Sequence, residues 1–287
     1  MENWYEKAVK ALQLNGMAER TQDAYARAVR MLVEHYDKTP DIITEEELQE
    51  YFLYRKNTCK WSSNTMRICY SGIKFFFVNV LQRNWHLLDI IRAQAEHRLP
   101  TVLSVEEVRD ILGRVTSSHN HAFLTAVYTC GLRLQEARHL EVADIDSSRM
   151  MIHVHRGKGA KDRMVPLPQA TLALLRKHWA THKNPRLIFP ALGRSGKSDG
   201  LSPIAVSTVQ GALRSAKRAA GIQKRGVSVH TLRHSYATHL LEAGVNLRVI
   251  QRYMGHSRLE TTMIYLHLTT KGQEDAYKII DQLMAEV

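Results

Sequence analysis

The sequence predicts a mainly α-helical protein of two domains that carries one small antiparallel β-sheet. Apolar residues recur at helical spacing along most of the chain, and one segment changes to the alternation of strands. A charged stretch interrupted by Pro100 separates the two parts. The length of 287 residues fits two domains, since domains commonly run roughly 100–200 residues. We place the domains at residues 1–91 and 104–287, with a linker at 92–103.

The first domain is predicted to contain four helices. Apolar residues between Tyr25 and Tyr36 are spaced by four, three and four, which places them on one helical face. Thr44 followed by Glu47 is the capping-box pattern that opens another helix. A further helix follows the residues WSSN, and its apolar face is formed by Met66, Tyr70, Ile73, Phe77 and Val80.

The second domain begins with helices and then changes period. Ser104 with Glu107 repeats the capping box. The segment MMIHVHRGKGAKDRMVPLP contains two short strand-like runs around a Gly-Lys-Gly-Ala-Lys turn, which predicts a β-hairpin with an exposed tip. From Leu172 we expect helices to the end of the chain, interrupted by the Gly/Ser-rich loop GRSGKSDGLSP.

Composition favours a polyanionic partner and an intracellular protein. Lys and Arg total 40 against 28 Asp and Glu, and the formal charge of +12 suits nucleic acid, although any basic protein would share it. Cys59, Cys69 and Cys130 form no Cys-x-x-Cys pair, so neither a disulfide framework nor a thiolate zinc site is indicated. The N-terminus lacks a signal-type apolar core, and the strongest apolar run is too short to span a bilayer. We therefore expect a cytoplasmic protein.

Basic and phenolic residues follow one another in order through the second domain. They are Arg133 in GLRLQEARHL, Lys158 at the hairpin tip, His230 and Arg233 in HTLRH, His256 in MGHS, and Tyr265 in TTMIYLH. Each alone would be an ordinary surface or packing residue. In this order they resemble the signature of the tyrosine recombinases, the phage-integrase family that includes Xer-type and integron integrases. The resemblance is strong from Leu99 to Leu268, and the N-terminal domain is more loosely similar to the family's SAM-like core-binding domain.

The resemblance implies a helical core-binding domain joined to an α+β catalytic domain. It implies a site-specific recombinase or integrase that cleaves and rejoins double-stranded DNA through a 3′-phosphotyrosine, without cofactor or metal. Five residues would surround the scissile phosphate: Arg133, Lys158, His230, Arg233 and His256. Tyr265 would be the nucleophile. The implied assembly is a homotetramer on specific recombination sites, associated with the nucleoid. Three biological roles stay open: a mobile-element integrase, an integron integrase and a chromosome-dimer resolvase.

Elementary chemistry makes the same residues reasonable. Phosphodiester cleavage needs stabilisation of the negative charge on the non-bridging oxygens, which arginines provide through paired hydrogen bonds. A tyrosine hydroxyl, with a pKa of about 10, needs a base or a strongly positive site, and His230 can accept its proton. A lysine can protonate the departing 5′ oxygen, and Lys161 in the same turn competes with Lys158 for that role. Glu136 is interpreted as a carboxylate that orients Arg133 or a histidine.

The histidines and the whole chain also fit other interpretations. His234 and His239 are expected to serve helix packing or local hydrogen bonds. His230 and His234 have the i, i+4 spacing of a helical zinc site, but Thr231 stands where the zinc-protease pattern needs glutamate. A non-catalytic DNA-binding protein and a type IB-like topoisomerase are the alternative functions. The terminal segment QEDAYKIIDQLMAEV predicts an amphipathic helix, packed either on its own domain or on a neighbouring protomer.

Overall fold

The computed structural model describes residues 3–90, 99–155, 162–193 and 198–269, together with residues 280–282 and 284. The chain forms two compact units, residues 1–98 and 99–287. Over the described ranges, no helix has the length and apolar character needed to cross a membrane.

The first unit is helical. Its helices are α1 (Trp4–Leu14), α2 (Glu19–Tyr36), α3 (Glu45–Asn57), α4 (Ser63–Asn79) and the short α5 (Leu87–Ile90), with a 3-10 turn at Pro40–Ile42. The predicted capping box is present at the start of α3, where the Thr44 hydroxyl accepts from the Glu47 amide and Glu47 accepts from the Thr44 amide. The core is rich in aromatic side chains, and Tyr51, Phe76 and Phe77 are fully buried.

The second unit is also mainly helical. It contains α6 (Val105–Gly113), α7 (Ser118–Thr129), α8 (Leu134–Arg138), α9 (Gln169–His182), α10 (Val206–Ala219), α11 (Val229–Glu242), α12 (Leu247–Met254) and α13 (Glu260–Met263), with 3-10 turns at Val142–Asp144 and Ile264–Leu268. The capping box of Ser104 and Glu107 opens α6 as predicted. Helix α7 lies in the main core, where Phe123 and Val127 are fully buried.

The predicted β-hairpin is present and belongs to a three-stranded antiparallel sheet. Strand β1 (Ile145–Asp146) pairs with β2 (Met151–Val154), which pairs with β3 (Arg163–Pro166). Ile152 and Val154 face the core, as strand alternation requires. The hairpin tip lies outside the described residues, and so do Lys158 and Lys161.

A second hairpin corrects the sequence-based prediction. The segment expected to be a Gly/Ser-rich loop contains strand β5 (Ser198–Pro203), which pairs antiparallel with β4 (Pro190–Leu192). Neither strand has the alternating β-branched and aromatic residues that mark strands in a sequence. Backbone pairing holds this short two-stranded ribbon, so its side chains carry little signal.

Of the predicted terminal amphipathic helix, residues 280–282 and 284 are described and helical. The remainder of that prediction lies outside the described residues. Ile280 and Met284 are both exposed.

Candidate active site

The centre of the candidate site is one carboxylate among three arginines. The Glu136 carboxylate accepts two hydrogen bonds from Arg163, at 2.8 and 2.7 Å, and one of 2.7 Å from the Arg133 guanidinium. The third guanidinium, of Arg233, lies 3.8 Å from it. Burial alone would raise the pKa of Glu136, but the hydrogen bonds and charges of Arg163 and Arg133 outweigh it and lower that pKa to about 2. We call these four residues the arginine cluster.

Arg233 is held by the backbone. It lies on α11, is buried, and donates to the carbonyl oxygens of Gly131 and Met254. Burial, and next the charge of Arg133, lower its pKa to about 9, so the guanidinium remains charged at neutral pH. These bonds join the end of α7, the middle of α11 and the end of α12 at one point.

Two glycines allow this approach of chain segments. Gly131 and Gly255 both have positive φ, +60° and +59°, a conformation that residues with a Cβ rarely adopt. A Cβ on Gly131 would lie 2.5 Å from the Tyr236 ring, and one on Gly255 would lie 2.9 Å from Cδ of Arg163. The glycines of the GLR and MGH motifs are therefore required by the packing around the arginines.

Arg133 is the most accessible of the three arginines. Its side chain is 23% exposed, against 6% for Arg163 and 5% for Arg233. It is the N-cap residue of α8 and donates to the Gly255 carbonyl oxygen at 2.8 Å. Because the single negative charge of Glu136 faces three guanidinium charges, the cluster keeps a surplus of positive charge. Such a surplus is suited to binding an anion.

The hydroxyl of Tyr265 contacts a histidine of α11. It lies 3.0 Å from Nδ1 of His234, and the tyrosine side chain is buried in the turn Ile264–Leu268. Burial raises the pKa of Tyr265 to about 12, although the charges of Arg233 and Arg133 oppose this rise. Burial and then Arg233 lower the pKa of His234 to about 4, so its ring is neutral at pH 7 and can accept the phenolic proton.

His256 is the second histidine that contacts the tyrosine ring. The two rings stack with centroids 6.3 Å apart, and Nδ1 of His256 lies 2.9 Å from the Thr262 hydroxyl. Burial and then the charges of Arg233 and Arg133 lower the pKa of His256 to about 3. When Nδ1 accepts from Thr262, the proton of the neutral ring is on Nε2 and can be donated to a ligand.

His230 is exposed on α11, one turn before His234. Partial loss of contact with water, and next the charges of Arg233 and Arg133, lower the pKa of His230. It therefore lies near both predicted arginines. The histidine that bonds the Tyr265 hydroxyl is His234 and not His230.

The structure brings together Arg133, Arg233, His256 and Tyr265, with His230 beside them; Lys158 lies outside the described residues. His234, expected to serve helix packing or a local hydrogen bond, does make a hydrogen bond, and its partner is the Tyr265 hydroxyl, because the turn Ile264–Leu268 packs against α11. The corresponding expectation for His239 is confirmed by its bonds to Tyr128 and to the Leu103 carbonyl.

Sequence reasoning also missed Arg163. Its guanidinium pairs with Glu136 and donates to the Tyr253 carbonyl oxygen at 2.8 Å. A signal was available: in β3, Arg163 shares the buried face with Val165. A charged residue at a core-facing strand position indicates a buried partner. Glu136 orients Arg133, as interpreted, and also Arg163.

Comparison with known proteins matches residues 101–271 to the phage integrase family, and residues 4–87 to the N-terminal SAM-like domain of phage integrases. A tyrosine recombinase of Thermosipho africanus is 31% identical, over 91% of this chain and 93% of the relative. The chain belongs to the phage integrase family. An integrase/recombinase of Escherichia coli is 32% identical, covering 92% of this chain and 89% of its own length.

Solved structures agree with the fold of a tyrosine recombinase. The XerH site-specific recombinase, in a pre-cleavage complex with its difH substrate, superposes with a TM-score of 0.70 at 21% identity, covering 96% of this chain and 84% of that one. This phage integrase family member is therefore an enzyme of the tyrosine recombinase type with the mainly helical fold that its sequence predicts.

Proposed function

We propose that this protein is a site-specific recombinase that cleaves and rejoins double-stranded DNA through a covalent bond between Tyr265 and a 3′-phosphate. The observation that carries the proposal is the contact of Tyr265 with both His234 and His256, near two arginines whose charge favours the phenolate. The relatives, which include a tyrosine recombinase and a DNA-bound site-specific recombinase, support the same activity.

The first step is binding of the scissile phosphate. Arg133, with the most accessible guanidinium, and Arg233 would contact the non-bridging oxygens, and His256 would donate from Nε2. The surplus positive charge of the arginine cluster would stabilise the transition state most, because negative charge develops there on the phosphate oxygens.

Cleavage exchanges one phosphodiester for another. The Tyr265 oxygen attacks phosphorus, the bond from phosphorus to the 5′ oxygen breaks, and a 3′-phosphotyrosine forms. The phenolic proton passes to a histidine of α11, where His234 is already in contact and His230 lies one turn away. Lys158 or Lys161 would give a proton to the departing 5′ oxygen. A 5′ hydroxyl of another strand reverses these steps, so no nucleotide hydrolysis is required.

Tyr265 must leave its buried position before it can attack. Only 1% of the residue is exposed, so a DNA phosphate cannot reach its hydroxyl in this conformation. We infer that DNA binding shifts the turn Ile264–Leu268 and releases the hydroxyl from His234. A rate of cleavage that falls further in His230→Gln than in His234→Gln would identify His230 as the base in the DNA-bound state.

The experiment that tests the function is Tyr265→Phe on a nicked recombination substrate. We expect no covalent protein–DNA product, with DNA binding nearly intact, because only the nucleophilic oxygen is lost. Tyr253→Phe is the matched control, a tyrosine of the same unit whose carbonyl, not its ring, bonds Arg163, and it should cleave normally. Covalent product from Tyr265→Phe would overturn the assignment, and the absence of cleavage in the wild type would favour a non-catalytic DNA-binding protein.

A recombinase differs from a topoisomerase because it exchanges strands between two DNA sites, which requires several protomers to assemble. We propose that the active assembly is a homotetramer on paired sites. The exposed positions of Ile280 and Met284, four residues apart, suit a terminal helix that packs on a neighbouring protomer. Truncation after Thr270 should then reduce recombination more than it reduces binding to a half-site. If the truncated protein instead unfolds at a much lower temperature without DNA, the helix packs on its own unit.

A further inference from the structure

Three potential metal ligands lie together at the base of the β2–β3 hairpin. Ile152 and Val154 face the core, so His153 and His155 point to the opposite side of the strand. The register pairs Val154 with Arg163, which places Asp162 opposite His155. Both histidines and the aspartate are partly exposed, in contrast to the arginine cluster.

The distances among these side chains fit a metal ion. Nε2 of His153 lies 3.1 Å and Nδ1 of His155 lies 3.5 Å from the same oxygen of Asp162. All three ligand atoms lie within 4.8 Å of one another. Four ligands placed tetrahedrally at about 2.0–2.1 Å from zinc are separated by about 3.3–3.4 Å. An ion between these atoms needs only small side-chain rotations.

A second carboxylate fixes the orientation of His155. Its Nε2 lies 2.7 Å from an oxygen of Asp144, whose other oxygen accepts from the Glu141 amide at 2.9 Å. When Nε2 donates to Asp144, Nδ1 of the neutral ring has a lone pair directed at the Asp162 oxygen. Two lone pairs facing each other are stabilised by a cation between them. Metal-bound histidines in proteins characteristically donate their other nitrogen to such a carboxylate.

Access to the site is open. The three ligands border a cavity of about 910 Å³ that is also lined by His139 and Arg186. A bound ion would therefore keep a coordination position open to water or to another donor, as three-ligand zinc sites do.

We propose that His153, His155 and Asp162 bind a divalent transition metal of the zinc class, with Asp144 positioning His155. Two imidazoles and one carboxylate favour Zn²⁺, Co²⁺ or Ni²⁺ over Mg²⁺ and Ca²⁺, which prefer oxygen ligands. The ion joins β2 to β3 across the two ends of the segment 156–161, which carries Lys158 and Lys161. None of the three ligands is among the residues proposed to bind the phosphate, so DNA cleavage is not expected to require the ion.

The test is calorimetric titration of the full-length protein with ZnCl₂ under reducing conditions. We expect one ion per chain, bound at least tenfold more weakly by His153→Ala and by His155→Ala. Asp144→Asn should weaken binding by about 10–100-fold, since an orienting carboxylate contributes that much to metal affinity. His139→Ala is the matched control, because His139 borders the same cavity outside the ligand set, and it should bind zinc as the wild type does.

Circular dichroism and thermal unfolding of each variant would separate lost binding from lost folding. Asp162→Asn supplies a second variant, because its side chain is about half exposed and tolerates the change. Absence of binding to the wild type would overturn the proposal. So would equal affinity in the wild type and in His155→Ala, which would place the ion at other residues, such as Cys59.

Discussion

In the described part of the second unit, one largely buried cluster of polar side chains is neutral at pH 7 and another is charged. His119, His178 and His182 form the first, in which His119 and His178 share a hydrogen bond of 3.1 Å and His178 stacks on Phe189. Burial, followed by the neighbouring histidines, lowers the pKa of His119 and His178 to about 4, so both rings are neutral at pH 7. The arginine cluster keeps its charges, and one carboxylate compensates them only in part.

The difference separates a structural cluster from a functional one. Neutral imidazoles can pack in a core without any ligand, because they carry no charge that burial would penalise. Three guanidiniums and one carboxylate remain electrostatically incomplete until an anion arrives. A strongly lowered pKa alone therefore does not identify the site in this protein; the uncompensated charge does.

Removing the charge of Glu136 should break the arginine cluster. In Glu136→Gln, two buried guanidiniums and the partly exposed one of Arg133 lose the only carboxylate within the cluster. The free energy of unfolding should fall by about 3–5 kcal/mol. Urea unfolding monitored by circular dichroism measures the change. The control is Glu141→Gln, whose carboxylate pairs with the largely exposed Arg186 and should contribute less than about 1 kcal/mol. Equal effects of the two substitutions would show that Glu136 does not neutralise the cluster.

Arg133→Ala should spare the fold and damage the chemistry. Its side chain is the most exposed of the three arginines, and loss of one preorganised oxyanion donor slows a reaction by about 10²–10³-fold. Single-turnover cleavage of a nicked substrate measures this rate, with Arg186→Ala as a control outside the cluster. A cleavage rate within threefold of the wild type would remove Arg133 from the phosphate site.

The histidine cluster should make the protein sensitive to acid. The unfolded-state pKa of histidine is about 6.5, above the folded values of about 4 for His119 and His178. The unfolded chain thus binds more protons, and the stability contributed by each neutral ring is present above about pH 6.5 and is lost as the pH falls towards 4. His178→Phe should reduce the slope of unfolding free energy against pH by about 1.4 kcal/mol per pH unit between pH 6 and 4.5.

The exposed residue His139 supplies the control for this measurement. His139→Gln should leave the slope unchanged. A slope that is the same in His178→Phe and in the wild type would mean that His178 is protonated in the folded protein.

Local signals in the sequence were sufficient for the helices and for one hairpin. Both capping boxes form as predicted, because a cap depends on residues three positions apart. The β2–β3 hairpin follows from alternation around a glycine-rich turn. Strand β5 was missed because its pairing with β4 depends on backbone hydrogen bonds rather than on side-chain pattern.

The site was predicted in its parts and missed in its connections. Arg133, Arg233, His256 and Tyr265 lie together, and the resemblance of their motifs to the tyrosine recombinases had implied that set. The partners of Arg163 lie 27 and 90 residues from it along the chain, so only tertiary packing reveals them. Whether His230 or His234 contacts Tyr265 depends on where the turn Ile264–Leu268 meets α11, which helical spacing does not determine.

The buried hydroxyl of Tyr265 has a consequence for the enzyme when it is away from DNA. With a pKa of about 12, only about one molecule in 10⁵ carries the phenolate at pH 7, from the definition of the pKa. Stray phosphate esters and electrophiles in the cell thus meet a proposed nucleophile, Tyr265, that is both uncharged and buried. The same packing that delays attack protects the cell from unscheduled strand breaks and the protein from dead-end adducts.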